Sequence, residues 1–447
     1  MKMRIMLRSK VKMGMSFWMP LIVFIVVYCS SDTVLFGTNG NVSMQKTGQM
    51  ADVALIAILP VFSLLFNKSF SLTKRQAGYA VLMFVSILAS SIINFDLRGG
   101  VFFKLALVIL CMEMAVLLPF KDFCLYLERM IVFFAWCSVV FYFVFQAFPF
   151  AASIGIPLIN SADWPFRHFG VYVQEDLPPI YLRNYGIFRE PGVYQMFLII
   201  SMIVIVCCKD WKKKSTIFSM TGLVLALWLT KSTTAYFAFV VFVFYALSYK
   251  GYFNRIGKAR KLVVIAAIAL AALLCMLPLI YDDIIQWADI FTRKFDKSYS
   301  SYYSFYARYS SITVNIMLWL KNPLFGIGLT DHDGYFEQTA IKLYGLPNNC
   351  NTNTILAQFG AFGIVMGVVW IIAVCRASGM LGRNKTQKIL VFVLLMMLFM
   401  CENVTFSPVW NMLMFYAVSY KRGYEAGECE TAWSGRNSLD EKSYSLY

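Results

Sequence analysis

The sequence predicts an all-α integral membrane protein of about twelve transmembrane helices with two large loops on the outer face. Three observations predict it. Of the 447 residues, 59% are hydrophobic and 14% charged, with a mean hydropathy of +0.64, a composition of bilayer proteins rather than soluble domains. The apolar residues are gathered into repeated long runs separated by polar segments. The 40 Lys and Arg fall mostly in alternate gaps between those runs, as the positive-inside rule requires.

Taken in order, the first run, 16–30, follows a basic stretch from Lys2 to Lys12 and has no small-x-small cleavage site. It reads as an uncleaved first helix. Runs at about 52–66, 77–94, 101–119 and 130–150 lead to the first large loop, about 151–192. Runs at 193–208, 215–230, 234–248 and 262–280 lead to the second, about 281–352. The last three are 353–375, 388–402 and 407–420, the final two readable as a hairpin. Several fall short of the ~20 residues of a perpendicular span and must borrow flanking residues or thin the bilayer. Residues 1–422 therefore form one polytopic membrane domain, and 423–447 a polar cytoplasmic tail. Placing the N-terminus in the cytoplasm gathers "CCKDWKKKS", "YKGYFNRIGKARK" and "CRASGMLGRNKTQK" on the inner side. Both termini are then cytoplasmic and both large loops are outside.

The net charge of +16 lies between runs rather than on one continuous basic face, so no nucleic-acid partner is expected. The 11 Cys lie mostly within apolar runs and form no CxxC pair with metal spacing, which leaves them as small apolar side chains. No P-loop, GxGxxG, HExxH or GxSxG occurs, and no internal repeat or inverted half. No cofactor is implied. Glu113 and Glu128 are ionisable residues in or near spans, Glu128 beside Arg129 at the cytoplasmic edge. A buried helix contact and a functional role both fit Glu113.

The polar chemistry is concentrated in the outer loops. Arg183 and Arg189 flank "NYGIF", with Gly186 permitting a turn between them. A guanidinium is suited to diphosphate because its planar fork binds two oxygens at once. Pro191 fits the first turn of the sixth span, so Glu190 falls at its N-cap, where the helix dipole favours a carboxylate. Arg189 and Glu190 can equally anchor that helix at the interface. In the second loop Arg308 lies in an aromatic surface helix, 300–320, whose apolar end is too short to span. "DHD" (Asp331, His332, Asp333) follows; three adjacent residues rarely converge on one ion, so a solvated loop or sugar contact is expected and no metal. Asn353 opens the next span and fits an N-cap. In "LTKSTTAY" (229–236), Ser232 fits a cap and Lys231 is a candidate phosphate contact.

These segments together resemble the O-antigen and capsular polysaccharide polymerases, the Wzy-type branch of the superfamily that also holds the O-antigen ligases. "RNYGIFREPGVYQMFL", "LTKSTTAY", Arg308 followed by "NPLFGIGL", and Asn353 in "NTILAQFGAFG" carry the resemblance over residues 180 to 375. It implies a GT-C-like membrane glycosyltransferase in the bacterial cytoplasmic membrane. The implied reaction polymerises undecaprenyl-diphosphate-linked oligosaccharide by inversion, without metal, with a chain-length regulator and a flippase as partners. It assigns Arg183, Arg189, Arg308, Lys231, Tyr194 and Asn353 to the diphosphate and sugars, and Glu190, with Asp331 and His332 as alternatives, to the catalytic base. Thr352 stands where the ligases place a His, which favours the polymerase. Tyr194 and Trp319 replace the Gly that some polymerases carry eleven residues after each loop arginine. A ligase, and a lipid-linked oligosaccharide flippase, remain the alternatives; a flippase should show paired halves and charges in mid-span.

Overall fold

The computed structural model describes residues 18–37, 40–65, 71–160, 164–176, 183–252, 300–328, 334–348 and 351–420, with side chains in the 300–328 segment from residue 306. The described chain is mostly helical. The helices are α1 (Trp18–Tyr28), α2 (Val42–Leu65), α3 (Lys74–Ile93), α4 (Gly99–Leu117), α5 (Phe120–Ala147), α6 (Pro191–Cys208), α7 (Lys214–Leu229) and α8 (Thr233–Tyr249). After these come α9 (Ser300–Lys321), α10 (Tyr335–Tyr344), α11 (Thr354–Leu381), α12 (Lys385–Cys401) and α13 (Pro408–Ser419).

Local chemistry sets many of the boundaries. Thr73 and Gln76 form a capping box at α3, and Asn384 and Gln387 form one at α12, each satisfying two backbone donors of a helix start. Pro191 and Pro408 open α6 and α13, where a missing N–H costs nothing. Among the described residues six helices (α2, α3, α4, α5, α6 and α11) are long and apolar enough to cross a membrane. The runs assigned to α1, α7, α8, α12 and α13 form shorter helices, and the run at 262–280 lies outside the described residues. A multi-pass membrane protein is the statement these helices support.

Two helices form the centre. Every residue of α6 from Pro191 to Val206, and of α13 from Pro408 to Val418, is buried, the pattern of a helix that is apolar all round. α6 packs on α5, α7 and α8; α13 packs on α3, α4 and α11. The peripheral helices turn apolar side chains outward, among them Val53, Val61 and Leu64 of α2 and Val81 and Val85 of α3. An apolar outer surface of this extent suits lipid rather than water.

α11 is broken at Gly363, whose φ of 79° no L-residue adopts readily. The break releases carbonyls that "NPLFGIGL" takes up: Ile327 N–H donates to Gly360 O (3.0 Å) and Gly328 N–H to Ala361 O (3.0 Å). Ile364 N–H in turn donates to Pro323 O (2.9 Å). Non-helical backbone at this depth is tolerated because protein groups satisfy it.

The expectation of a wholly helical chain requires one correction. The first large loop contains a three-stranded antiparallel sheet of β1 (Ile156–Ile159), β2 (Pro165–His168) and β3 (Val173–Glu175), in the order β1-β2-β3. Its register pairs Leu158 with Phe166 and Arg167 with Gln174. The alternation of Phe166 and His168 inward with Arg167 half-exposed supplies the period of two that a half-buried strand needs. Phe166 packs with Val34, Val173 and Tyr185, so the sheet is tied to the segment that follows α1. Glu175 accepts from Tyr185 Oη (2.7 Å) and from Trp164 Nε1, while Arg167 pairs with Asp176 at 2.9 Å. The loop's charges are therefore divided between this sheet and the start of α6.

Candidate functional site

The segment after α1 holds "FREPG" in place. Thr33 bridges Phe188, Val34 N–H donates to Ile187 O (3.2 Å), and Arg189 N–H donates to Asp32 O (2.9 Å). Gly186 has a φ of 56°, providing the turn expected between the two arginines. Arg189 then reaches across to a second loop, donating from Nη2 to Asn403 O at 2.9 Å.

Glu190 occupies the N-cap of α6, but its side chain makes no capping bond. Its carboxyl lies close enough to the Glu402 carboxyl to raise that group's pKa. Glu402 stands just past α12, 2% exposed, and Arg308 Nη2 lies 3.7 Å from its Oε1. A Cβ on Gly192 would fall 1.8 Å from that same oxygen, so the glycine of "REPG" is what lets the carboxylate approach the first turn of α6. Two carboxyls and two guanidiniums thus meet in one cluster: Glu190, Glu402, Arg189 and Arg308.

Three helix N-termini converge on the 402–407 loop. Thr354, the first residue of α11, donates from Oγ1 to Glu402 O (2.5 Å) and accepts from Val404 N–H (3.0 Å). Ser407, the N-cap of α13, donates from Oγ to the Asp32 carboxylate. α6 begins beneath Glu402. Helix N-termini carry partial positive charge, each stabilising a nearby anion by ~0.3–1 kcal/mol, and with two arginines they make a strongly anion-attracting corner. Burial raises the pKa of Glu402 and the neighbouring Glu190 raises it further, against the opposing pull of Arg308 and Arg189. Burial likewise raises that of Asp32, opposed by Arg189 and by hydrogen bonds from Ser407 and Ser30. A carboxyl pair in which one member holds the proton more readily is an arrangement that can exchange protons near neutral pH.

A cavity of about 560 Å³ opens beside the cluster, lined among others by Lys104, Arg189, Asn315, Asn351, Thr405 and Ser407. This is within the range of small-ligand sites.

The residues expected from the sequence separate into groups. Arg189, Glu190 and Arg308 meet, as described. Asn353 is adjacent and caps α11, accepting from Leu356 N–H at 2.8 Å with its Oδ1. Its Nδ2 meets no partner among the described residues and the side chain is fully buried. Arg183 turns to the α7–α8 connection, where its Nε donates to Thr230 O (3.1 Å). Lys231 is exposed at the tip of that connection with a φ of 49°, and Ser232 occupies the α8 N-cap without a side-chain capping bond. Tyr194 does not reach the cavity: it is 0% exposed, stacks on Phe188, and its hydroxyl bonds Ser138 at 3.0 Å. Asp331 and His332 lie outside the described residues. His168 is buried in the sheet against Tyr28, 3.3 Å from its hydroxyl, and burial lowers its pKa. Among the described residues no three His, Cys, Asp or Glu side chains gather as a metal site.

Sequence reasoning missed Asp32, Glu402 and Asn403. Each lies at the end of an apolar run, where hydropathy marks only a boundary. The available signal was an isolated acidic residue five positions before a Ser-Pro helix start, in "CENVTFSP". Compared with known proteins, the chain matches no family model, and no curated protein matches it significantly.

Proposed function

We propose that the protein is a polysaccharide polymerase, a GT-C-type membrane glycosyltransferase of about twelve spans. In this reading it joins undecaprenyl-diphosphate-linked repeat units on the outer face of the bacterial cytoplasmic membrane. The observation that carries the reading is the meeting of Arg189 and Arg308 with the Glu190–Glu402 pair at the edge of one cavity. The hydroxyl of the acceptor sugar attacks the anomeric carbon of the donor, inverting it. The bond from that carbon to the diphosphate oxygen breaks, and its electron pair leaves with the diphosphate. The hydroxyl proton passes to the Glu190 carboxylate. Arg189 and Arg308 meet the charge that develops on the leaving group, the kind of preorganised stabilisation that is worth most away from water. Glu402 holds Glu190 and Arg308 in register, and its raised affinity for a proton gives Glu190 a neutral neighbour rather than a second anion.

The test is polymerisation by the purified protein from a lipid-linked repeat unit. Glu190→Gln retains shape and hydrogen bonding but removes the base, and the rate should fall by ~10²–10⁴-fold. Parent-rate polymerisation by Glu190→Gln, with Asp331→Asn or His332→Ala inactive, would move the base to the second loop. A deletion strain separates the function classes on a surface-polysaccharide gel. Single-repeat products match a polymerase; lipid-linked polymer would indicate a ligase, and lipid-linked repeats held in the cytoplasm a flippase.

A further inference from the structure

Lys104 lies on α4, five residues from the helix start at Gly99, about 7–8 Å along the axis from that end at 1.5 Å per residue. It belongs to an apolar run, and nothing in the loop chemistry points to it. The fold brings it to the wall of the same cavity as Arg189. Its Nζ sits 4.8 Å from the centroid of Phe406 and 5.6 Å from that of Phe103. Asp32, Asp52 and Arg189 are the charged groups whose fields reach it. Among the described residues neither carboxylate approaches within 4.0 Å of its ammonium, and no acceptor takes any of its three N–H donors.

The two acids near Lys104 are engaged or set apart. Asp32 takes the Ser407 hydroxyl and is 1% exposed. Asp52, on α2, is 2% exposed, and its Oδ1 has no hydrogen-bond partner among the described residues. An ammonium held by aromatic faces, with all its donors directed to no protein acceptor, is poised for an anion entering the cavity. The cavity wall also carries the amide pair Asn315 and Asn351, joined at 2.9 and 3.0 Å, so the cationic and amide surfaces of the cavity come from different elements.

We propose that Lys104 is a phosphate-binding residue, a third cation of the diphosphate site beside Arg189 and Arg308, on the cavity wall it shares with Arg189. This rests on the reading of the cavity as the lipid-diphosphate site and adds a contact from the α4 wall. Lys offers a point charge with rotatable donors where Arg offers a fixed fork. Arg189, with Arg308 beside it, would therefore take one phosphate bidentately, and Lys104 the other through a single oxygen.

The experiment is binding of farnesyl diphosphate, farnesyl monophosphate and inorganic pyrophosphate to the full-length protein in lipid nanodiscs. The parent protein is compared with Lys104→Met, Lys104→Arg and Arg189→Lys. Lys104→Met should weaken farnesyl diphosphate at least about tenfold, as expected for losing a charge-assisted contact. Lys104→Arg should recover most of that, and the monophosphate should lose the distinction between parent and Lys104→Met. Inorganic pyrophosphate binding as well as farnesyl diphosphate, with the same dependence on Lys104, would retain the anion site but assign it to a free anion rather than a lipid carrier. Parent affinity in Lys104→Met, with Arg189→Lys weakened, would overturn the role of Lys104 and leave the wider reading standing. Parent affinity in both, or no diphosphate binding by the parent, would overturn both. Amine-selective labelling of the parent followed by mass spectrometry covers the case in which Lys104→Met does not fold. Farnesyl diphosphate should protect Lys104 severalfold, and equal labelling with and without it would overturn the proposal.

Discussion

At Gly192 the demand on a single residue is geometric: a Cβ there would overlap Glu402 Oε1. Gly192→Ala should displace the carboxylate, separate it from Glu190, and reduce polymerisation at least tenfold while the protein still folds. Parent activity would show that the acid pair is incidental. Glu402 itself makes a signed prediction about pH. Its folded pKa is raised, chiefly by burial and then by Glu190, so the folded state binds the proton more tightly than the unfolded chain. The stability it contributes is fully present below the ordinary carboxylate value and lost as pH rises through the raised one. Thermal unfolding in detergent should therefore fall in temperature from pH 5 towards pH 8, and Glu402→Gln should flatten that slope. Tyr194 points the other way. Tyr194→Phe removes one bond to Ser138, which Asn184 Nδ2 also reaches at 2.9 Å. It should cost ~1 kcal/mol of stability and leave activity near the parent; a hundredfold loss would restore it to the site.

Tyr194 also shows why elements were more legible than faces. The apolar runs placed both ends of α6 and α13 and the start of α11 within two residues, because the ~20-residue scale of a span and the Pro and Asn caps are written locally. α6 is apolar on every side and buried along its length, so no amphipathic stripe says which residue faces a cavity. The three strands were missed because each is three or four residues long, and such short runs cannot be told from loop by periodicity. The break in α11 was visible only as "FGAFG", with no sign of which glycine departs from the helix. Gly363 does, and a Cβ there would lie 2.1 Å from Leu324 O. Gly363→Ala should undock the 323–328 segment and lower the unfolding temperature markedly. Gly379→Ala, in the same helix with open space around it, should be neutral or stabilising by ~0.5–1 kcal/mol. Equal effects of the two would mean that the break does not organise the loop.

Across the whole molecule the site residues come from far apart in sequence yet share one end of the bundle. Asp32 follows α1, Glu190 precedes α6, Thr230 follows α7, Asn353 precedes α11, and Glu402 lies between α12 and α13. The opposite end has a different character. There Lys209 pairs with Glu128 at 2.7 Å, Arg383 covers the ring of Tyr249 at 4.3 Å, and Lys250 reaches Lys209 O at 3.5 Å. Lysines and arginines concentrated at that end should face the cytoplasm, and the acid–arginine cluster should then lie on the outer side. Alkaline phosphatase fused at Pro165 or Ala340 should therefore be active and green fluorescent protein dark. The reverse should hold for fusions at Lys212 and Lys385. Both Pro165 and Ala340 must report outside, because they belong to the two loop systems that bring Arg189 and Arg308 to Glu402. A cytoplasmic signal at Ala340 alone would remove Arg308 from the outer face and with it half of the proposed diphosphate clamp. A cytoplasmic signal at both would invert the bundle, leaving the cluster intact but facing soluble nucleotide-sugar chemistry rather than exported lipid-linked repeats.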